Sequence, residues 1–575
     1  MLLTVPTAGR PQAPAEQGAS IARAPTPIVP APASLAPRPS PLVPIPAATP
    51  RDAVRAALRD VRTIFPMSDR RWIRYIWIPP WAADPRAWAG AVGWGVNDAV
   101  SRSEVIVRCP LVPQASSLMP HAFLAGRGGQ PPFAPRSPQN GAVPEPQKVP
   151  AILVRINLRE LAGDDSAQSL AELYGSLQHG EPYFHVTRVI DGKTVVEFGS
   201  HVGVEAMSEL QAECVSVVPV LRADWFLKMI LTTIEGGRYY DFAGVEQSDE
   251  RRGTSKKTAE QKFFAKLGAK LGDLPNANRV AMFRSEVTGK PRIVDLLPSD
   301  QVRPGTAAGL ATETHDPSDD DVDAAADPIR NLINFRDKAR EAIGVRPNGL
   351  PIYGLFAAGN GRRQDSAPDD VVQDHEVPRP HTARLQCAIG CIRCHRKNDQ
   401  LQPVVNDVAS LLVPRPSPLA TSLNAFGDLA LADRKDLTAQ VQLLAGLYGG
   451  NFEKPLARGR DDFQEASWKA SGGHELADTA ELLSHIYGDY RYPLVTPRQA
   501  CFEIGFQTPD DKMAIALLNR LWPPLAAVVD SDGEPPVSPE DPILAALKEG
   551  KSVNRFQWEA VYGDAAFRAE ATNHE

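Results

Sequence analysis

No stretch of this 575-residue chain carries the run of about 18 apolar residues that a membrane-crossing helix needs. Positive charge is not in excess either: 62 lysines and arginines stand against 69 aspartates and glutamates, a net charge of −7. Phosphate neutralisation needs clustered basic residues, so general binding to nucleic acid or to anionic membranes is not expected. A secretory leader is missing from the start as written, where Leu2 and Leu3 give way to Pro6 and Arg10 before an apolar run develops. There is no Gly-x-Ser-x-Gly elbow, no Walker loop and no His-Glu-x-x-His zinc helix. Gly90, Gly93 and Gly95 lie close together, but not at the spacing of a dinucleotide-binding turn. Cysteine is sparse, six in all, far below the density of a disulfide-stapled domain.

What the chain does have is core-forming material: 43% hydrophobic and 23% charged residues, with a length that suits about two to four folded units. The first fifty residues hold thirteen prolines among alanines and small polar side chains. That composition favours extended backbone without a core, so 1–50 is expected as a disordered Pro/Ala-rich tail. Helical spacing begins at Arg51, and 72–78 reads as a strand. A helix is expected over 85–99, a strand over 104–109, a surface loop over 114–148 and a buried strand over 151–158. Residues 184–198 suit a hairpin turned at Asp191-Gly192, and 217–235 a strand running into a helix with Asp224 as its cap and Trp225 in the core. A helix over 258–271, with Lys262, Lys266 and Lys270 as a solvated stripe, and a hairpin over 279–297 complete an α+β domain at 51–300.

Residues 301–328 are acidic and poor in apolar side chains; Asp319-Asp320-Asp321 lacks the glycine and closing glutamate of an EF-hand loop, so a linker is expected. Asn348-Gly349 marks a turn before an apolar strand at 350–357, inside a segment 329–412 that also holds a cysteine cluster. Segments 421–447, 475–487, 510–522 and 541–562 have helical periodicity, making 413–575 a mostly helical region. The expected fold class is α+β multidomain, with a mixed α/β N-terminal region, the cluster-bearing segment and a mostly helical C-terminal region.

Half of the cysteines fall within eight residues, Cys387, Cys391 and Cys394, followed at once by His395. Cys391-Ile392-Arg393-Cys394-His395 has the Cys-x-x-Cys-His spacing of covalent haem attachment. Two residues between the thiols let both reach the vinyl groups of one haem from a single turn, and the next residue brings an imidazole to the iron. Cys391 and Cys394 are thus candidates for covalent haem c, and His395 for axial iron. Met513, His474, His485, His381 and His375 are the candidates for the second axial position; methionine there raises the reduction potential and histidine lowers it. An open sixth position would instead suit a haem-dependent peroxidase. Zinc competes, because Cys387, Cys391, Cys394 and His395 make up a Cys₃His set, although the adjacent Cys394 and His395 would strain the backbone to reach one ion. Buried or redox-active thiols without a metal are the third reading.

Three stretches carry a resemblance: Arg346-Pro-Asn-Gly-Leu-Pro-Ile-Tyr-Gly-Leu-Phe, Asp365-Ser-Ala-Pro-Asp-Asp-Val-Val and Cys391-Ile-Arg-Cys-His. Together they resemble the uncharacterised cytochrome c-like proteins of planctomycete bacteria, whose haem motif follows such a Pro-Asn-Gly-Leu strand and acidic turn. The likeness continues upstream through Arg71-Trp-Ile-Arg-Tyr-Ile, Leu153-Val-Arg-Ile-Asn-Leu-Arg, Leu221-Arg-Ala-Asp-Trp-Phe-Leu and Tyr239-Tyr-Asp. It spans about residues 70 to 410, with the pentapeptide its most specific part. The resemblance implies one covalent haem on Cys391 and Cys394 with His395 as axial ligand, in an exported, periplasmic protein. Electron transfer with a redox partner protein follows from that chemistry, whereas no enzymatic activity and no distal ligand comes with the family. The proline-rich start departs from the pattern, since a signal peptide would stand there.

Overall fold

Strand β1 (Ile45–Pro46) and helix α1 (Pro50–Ile64) open the described chain. Thr49 and Asp52 form a reciprocal capping box around Pro50 in the first turn, so two otherwise orphaned amides are satisfied where the helix begins. Ala53, Val54, Ala57 and Val61 form the buried stripe of α1, and the helix stops at Phe65, before Pro66. A computed structural model describes residues 45–112 except 47, 151–248 except 191–192, 257–269, 279–284, 291–297, 311–316, 337–401 except 370, 375–376, 379–380 and 398–399, 453–473, 479–522 and 541–572. Residues 1–44 of the expected proline-rich tail, the 114–148 loop, the Asp319–Asp321 run and the 421–447 helix expected from the sequence lie outside these residues, whereas the end of that tail forms β1 and the capped start of α1, because Thr49 and Pro50 suit a helix N-terminus.

After the short α2 (Met67–Arg70), β2 (Ile73–Ile78) is buried along its whole length. It sits in the middle of a three-stranded sheet, antiparallel to β3 (Ile152–Asn157) and parallel to β6 (Val220–Arg222). Helices cover the sheet, so β2 is buried on both faces, and its one charged side chain, Arg74, donates to the Arg71 and Ile73 carbonyls. The covering helices include α1, α3 (Pro85–Gly95), capped by Asp84, and α7 (Ala223–Leu231). Between these come α4 (Leu158–Ala162), α5 (Asp164–Gly175), the hairpin β4 (His185–Ile190) with β5 (Lys193–Phe198), and α6 (Val204–Cys214). The strand expected at 104–109 does not form. Asn97, in the π-helical turn that follows α3, takes its place as partner: its Nδ2 donates to the Val107 carbonyl and its Oδ1 accepts from the Val107 amide, both at 2.8 Å. A side-chain amide has satisfied the groups a neighbouring strand would otherwise pair.

The second sheet is a five-stranded antiparallel meander in the order β11-β10-β9-β8-β7. Its strands are β7 (Arg279–Arg284), β8 (Pro291–Leu297), β9 (Ala311–Asp316), β10 (Ala339–Val345) and β11 (Pro351–Ala357). The edge strand β11 is not left open. From α8 (Tyr239–Ala243), the hydroxyls of Tyr239 and Tyr240 accept hydrogen bonds from the Tyr353 and Leu355 amides at 2.8 and 3.1 Å. Helix α9 (Ala259–Lys266) lies against β11, with Phe263 edge-on to Phe356 at 5.6 Å. The β10–β11 turn is fixed to the first half of the chain by Arg346, which donates to the Ser101 carbonyl at 2.7 Å. Gly349 has φ +86°, and a Cβ there would meet Ala466 Cβ at 3.0 Å and the Asp462 carbonyl at 3.2 Å, so both the turn and the packing call for glycine.

Strand β9 corrects the linker expected at 301–328. It is the middle strand of the meander and buried throughout, although its sequence is mostly polar. Charge pairing makes this burial tolerable. His315 Nδ1 lies 2.7 Å from Asp337 and its Nε2 3.1 Å from Asp295, while Asp316 pairs with Arg292. Arg340 bridges Asp337 and Glu260.

Past the short helix α10 (Ile389–His395) and the strand pair β12 (Arg396–Lys397) and β13 (Gln400–Leu401), the rest of the described chain is mainly helical: α11 (Glu453–Ala470), α12 (Thr479–Arg491), α13 (Pro497–Glu503), α14 (Asp511–Leu521), α15 (Pro542–Lys548) and α16 (Arg555–Thr572). The single helix expected at 541–562 is divided at Gly550, whose φ of +82° no continuing helix adopts. Strand β14 (Phe506–Gln507) pairs with β1, α12 packs on α3, α7 and α10, and the chain from Pro44 onward forms one unit. The start of α7 and the C-terminal helices meet at a buried ion network. Glu503 accepts from Arg555 Nη1 at 2.7 and 2.8 Å, from Arg222 Nη1 at 3.2 Å and from Trp558 Nε1 at 2.9 Å. Arg222 also donates to Asp224 at 2.7 Å and lies 3.2 Å over the Tyr183 ring. Asp224 sits inside the first turn of α7, where it accepts from the Trp225 amide, close to the capping role its position suggests.

Two pH dependences follow. Burial alone would raise the Glu503 carboxyl, but Arg555 and Arg222 outweigh it and hold it at about 2, below its ordinary 4.5. Its stabilisation is therefore present above 4.5 and lost as the pH falls from there through about 2. Glu503→Gln should cost about 3 kcal/mol or more at neutral pH, because two buried guanidiniums lose their counter-charge, and urea midpoints of the variant should fall less on acidification than those of the parent. Burial alone would lower His315, but hydrogen bonds to Asp295 and Asp337, with Glu313 beside them, push it up from 6.5 to about 10. That contribution is complete below 6.5 and lost as the pH rises through about 10, so His315→Gln should flatten the alkaline limb of the same titration.

Candidate functional site

The cysteine cluster is built on α10 and the chain that leads into it. Residues 365–374 fold back along 384–393: the Ala367 amide donates to the Leu385 carbonyl at 2.9 Å, Ser366 and Gln373 bridge to Gln386 and Arg384, and Asp374 pairs with Arg393 at 2.5 Å. The acidic turn ahead of the motif thus serves as a brace. Gln386 donates to the Tyr487 hydroxyl of α12 at 2.9 Å, and the Cys387 amide donates to Thr233 Oγ1 at 3.2 Å. At Ala388 the chain takes φ +66°, a left-handed conformation rare for a residue with a Cβ. Helix α10 starts immediately after it, with the Ile392 amide donating to the Ala388 carbonyl at 2.7 Å.

The helix has a buried start and an open end. Cys387, Ala388, Ile389, Cys391 and Ile392 are all within 2% of complete burial, Arg393 is half-buried and Cys394 is exposed. Cys387 and Cys391 are both buried, in the neighbourhood of Glu341 on β10 and of the Tyr240 hydroxyl. That hydroxyl donates to the Gln364 carbonyl at 2.6 Å. The neighbouring Cys387 thiol, burial and the Glu341 carboxylate together hold the Cys391 thiol well above its ordinary value. Cys394 is raised too, by partial loss of water around its sulfur and then by Glu341 and Asp374, against the opposing Arg393 and Arg292. Burial pushes Cys109, Cys214 and Cys501 up to about 12, which marks them as inert packing thiols.

Of the residues singled out by sequence, Cys391, Cys394 and His395 share α10, with Cys387 one residue before the left-handed turn. His381 lies in the approach to the helix, its Nε2 3.3 Å from the Tyr492 carbonyl and its ring 4.9 Å from the Tyr492 ring. His485 is on α12, which packs against α10, but its side chain is exposed beside Glu481. Met513 is half-buried near the start of α14, a helix that packs mainly on α13, α15 and α16. His375 and His474 lie outside the described residues. Among the described residues, no group of three or more His, Cys, Asp or Glu side chains is arranged to hold a metal ion, and no helix is long and apolar enough to cross a membrane. Glu341, Tyr240, Thr233 and Tyr487 shape the cluster without any local sequence signal. They come from four elements distant in the chain.

Comparison with family models, with curated proteins and with solved structures finds no match for this chain.

Ala388 offers a direct check of how tightly the approach is set. Glycine takes φ +66° without the Cβ clash, so Ala388→Gly should stabilise the protein by about 1 kcal/mol, read as a raised urea midpoint with unchanged slope.

Proposed function

We propose that the chain is a c-type haem protein, with one haem joined to Cys391 and Cys394 and its iron carried by His395, and that it transfers electrons to a partner protein in an exported, periplasmic setting. The observation that carries the reading is the pentapeptide on a single short helix, with two thiols three residues apart and the imidazole directly after them. The family resemblance across 70–410 points the same way. When bound, the haem supplies reversible one-electron chemistry at iron.

The chain's own residues supply attachment and orientation. Burial and nearby carboxylates raise both thiols, which disfavours the thiolate form. Cys394 stands at the open end of α10, while Cys391 is buried and must become accessible to form a thioether. The braced acidic turn and the Gln386–Tyr487 bond keep the helix start in place while its end takes up the ligand. A second reading, a zinc-stabilised binding protein, rests on Cys387 and Cys391 being buried in the same short segment and requires Cys394 and His395 to turn toward the same point.

Production in a host equipped for cytochrome c assembly tests the first reading. The expected protein is coloured, and its Soret absorption stays with the polypeptide through acid–acetone extraction. Cys391→Ser or Cys394→Ser removes one thioether, and His395→Ala changes the axial ligation. A colourless protein with the mass of the bare polypeptide overturns it, and one zinc per chain with unfolding on chelation establishes the second.

A further inference from the structure

Three cations from three separate elements gather where α8 ends. Arg102 follows the π-helical turn, Lys266 is the last residue of α9, and Arg346 stands in the turn between β10 and β11. Their meeting point is Gly244, whose φ of +71° turns the chain out of α8. Measured from the place a Cβ would occupy at Gly244, Lys266 Nζ lies at 2.3 Å and Arg102 Nη2 at 4.0 Å, so the ammonium and the guanidinium are close neighbours. Arg346 is tied in through the residue before Arg102, since its Nη1 donates to the Ser101 carbonyl at 2.7 Å.

Each of the three has bonding capacity left over. Lys266 donates to the Gly244 carbonyl at 2.5 Å and keeps two further hydrogens. Arg346 is only 8% exposed, yet its Nη2 has no hydrogen-bond partner. A buried donor in that state costs free energy until an acceptor reaches it. Arg102 is exposed, and among the described residues no carboxylate comes within ion-pairing distance of it, of Lys266 or of Arg346. Glu246, two residues past Gly244, pairs with Lys262 at 3.4 Å instead, and Asp98 acts on Arg346 from beyond ion-pair reach. Like charges crowded in this way repel one another. In keeping with that, Lys266 is held below its ordinary value, first by loss of water and then by Arg102 and Arg346.

We propose that the Gly244 turn is a binding site for a small phosphate compound, held by Arg102, Lys266 and Arg346. A carboxylate brings one charge and two oxygens. A phosphate brings up to two charges and at least three oxygens, which suits an ammonium and two guanidiniums together. Glycine at 244 keeps the approach open, because a Cβ there would push Lys266 off the carbonyl that positions it. A site of this size serves one anion and not the long backbone of a nucleic acid, in line with the net charge of −7. The inference does not depend on the haem reading.

Titration calorimetry of the full chain with inorganic phosphate, in a chloride buffer of fixed ionic strength, tests the site. Saturable binding at one per chain is expected. Arg102→Gln and Lys266→Gln, both at exposed positions, should each weaken it about tenfold or more. Their urea midpoints without phosphate should stay at the parent value, which separates a lost ligand contact from a damaged fold. Phenyl phosphate, titrated in parallel, tells two sources of the anion apart: tighter binding than the free ion assigns the site to a phosphate ester, and weaker binding assigns it to phosphate itself. No saturable binding by the parent chain, or parental affinity in either variant, overturns the proposal.

Discussion

One buried carboxylate ties the α/β part of this molecule to its C-terminal helices. Glu503, at the end of α13, lies between the guanidiniums of Arg222 and Arg555, two residues 333 positions apart in the chain. The charges are inaccessible to water, so each is tolerable only in the presence of the others. Arg555 also donates to the Tyr490 carbonyl at 3.0 Å and so holds the end of α12. Helix α12 in turn presents Tyr487 to Gln386, the residue before the cysteine cluster. The placement of α10 is thus supported from the far side of the protein, through a network with no part in its chemistry.

A similar economy of polar pairing runs through the meander. Its edge strand is closed by two tyrosine hydroxyls instead of another strand, and its central strand is buried because opposite charges meet there. Glu341 belongs to this sheet and is the group that brings it to the Cys391 thiol. The cluster is therefore the place where the sheet, the acidic brace and the helical region converge. A short helix of seven residues gains from them a fixed position that it could not hold alone.

Much of this was legible in the sequence where local rules act without competition. The strand β2, the helical spacing of α1, the strand-to-helix passage into Trp225 and the Asn348-Gly349 turn each follow from periodicity or turn chemistry within a few residues. The grouping of Cys391, Cys394 and His395 on one short helix was legible because they are near neighbours in the chain. What escaped were features that depend on partners distant in the chain. Strand β9 looks like a linker until Arg292, Asp295 and Asp337 are placed around it, and 104–109 looks like a strand until Asn97 takes up the backbone groups of Val107. The buried setting of Cys387 and Cys391 likewise depends on a strained turn at Ala388 that no composition rule foretells.

The proposed haem would be joined to this short helix by two thioether bonds. The pyridine haemochrome spectrum of the denatured, fully matured protein tests it most directly, because it reports how many vinyl groups have been consumed by cysteine independently of the fold. The account predicts the spectrum of a haem with both vinyls saturated, in a ratio of one per chain. A spectrum of unmodified haem, or none remaining with the polypeptide, would contradict it.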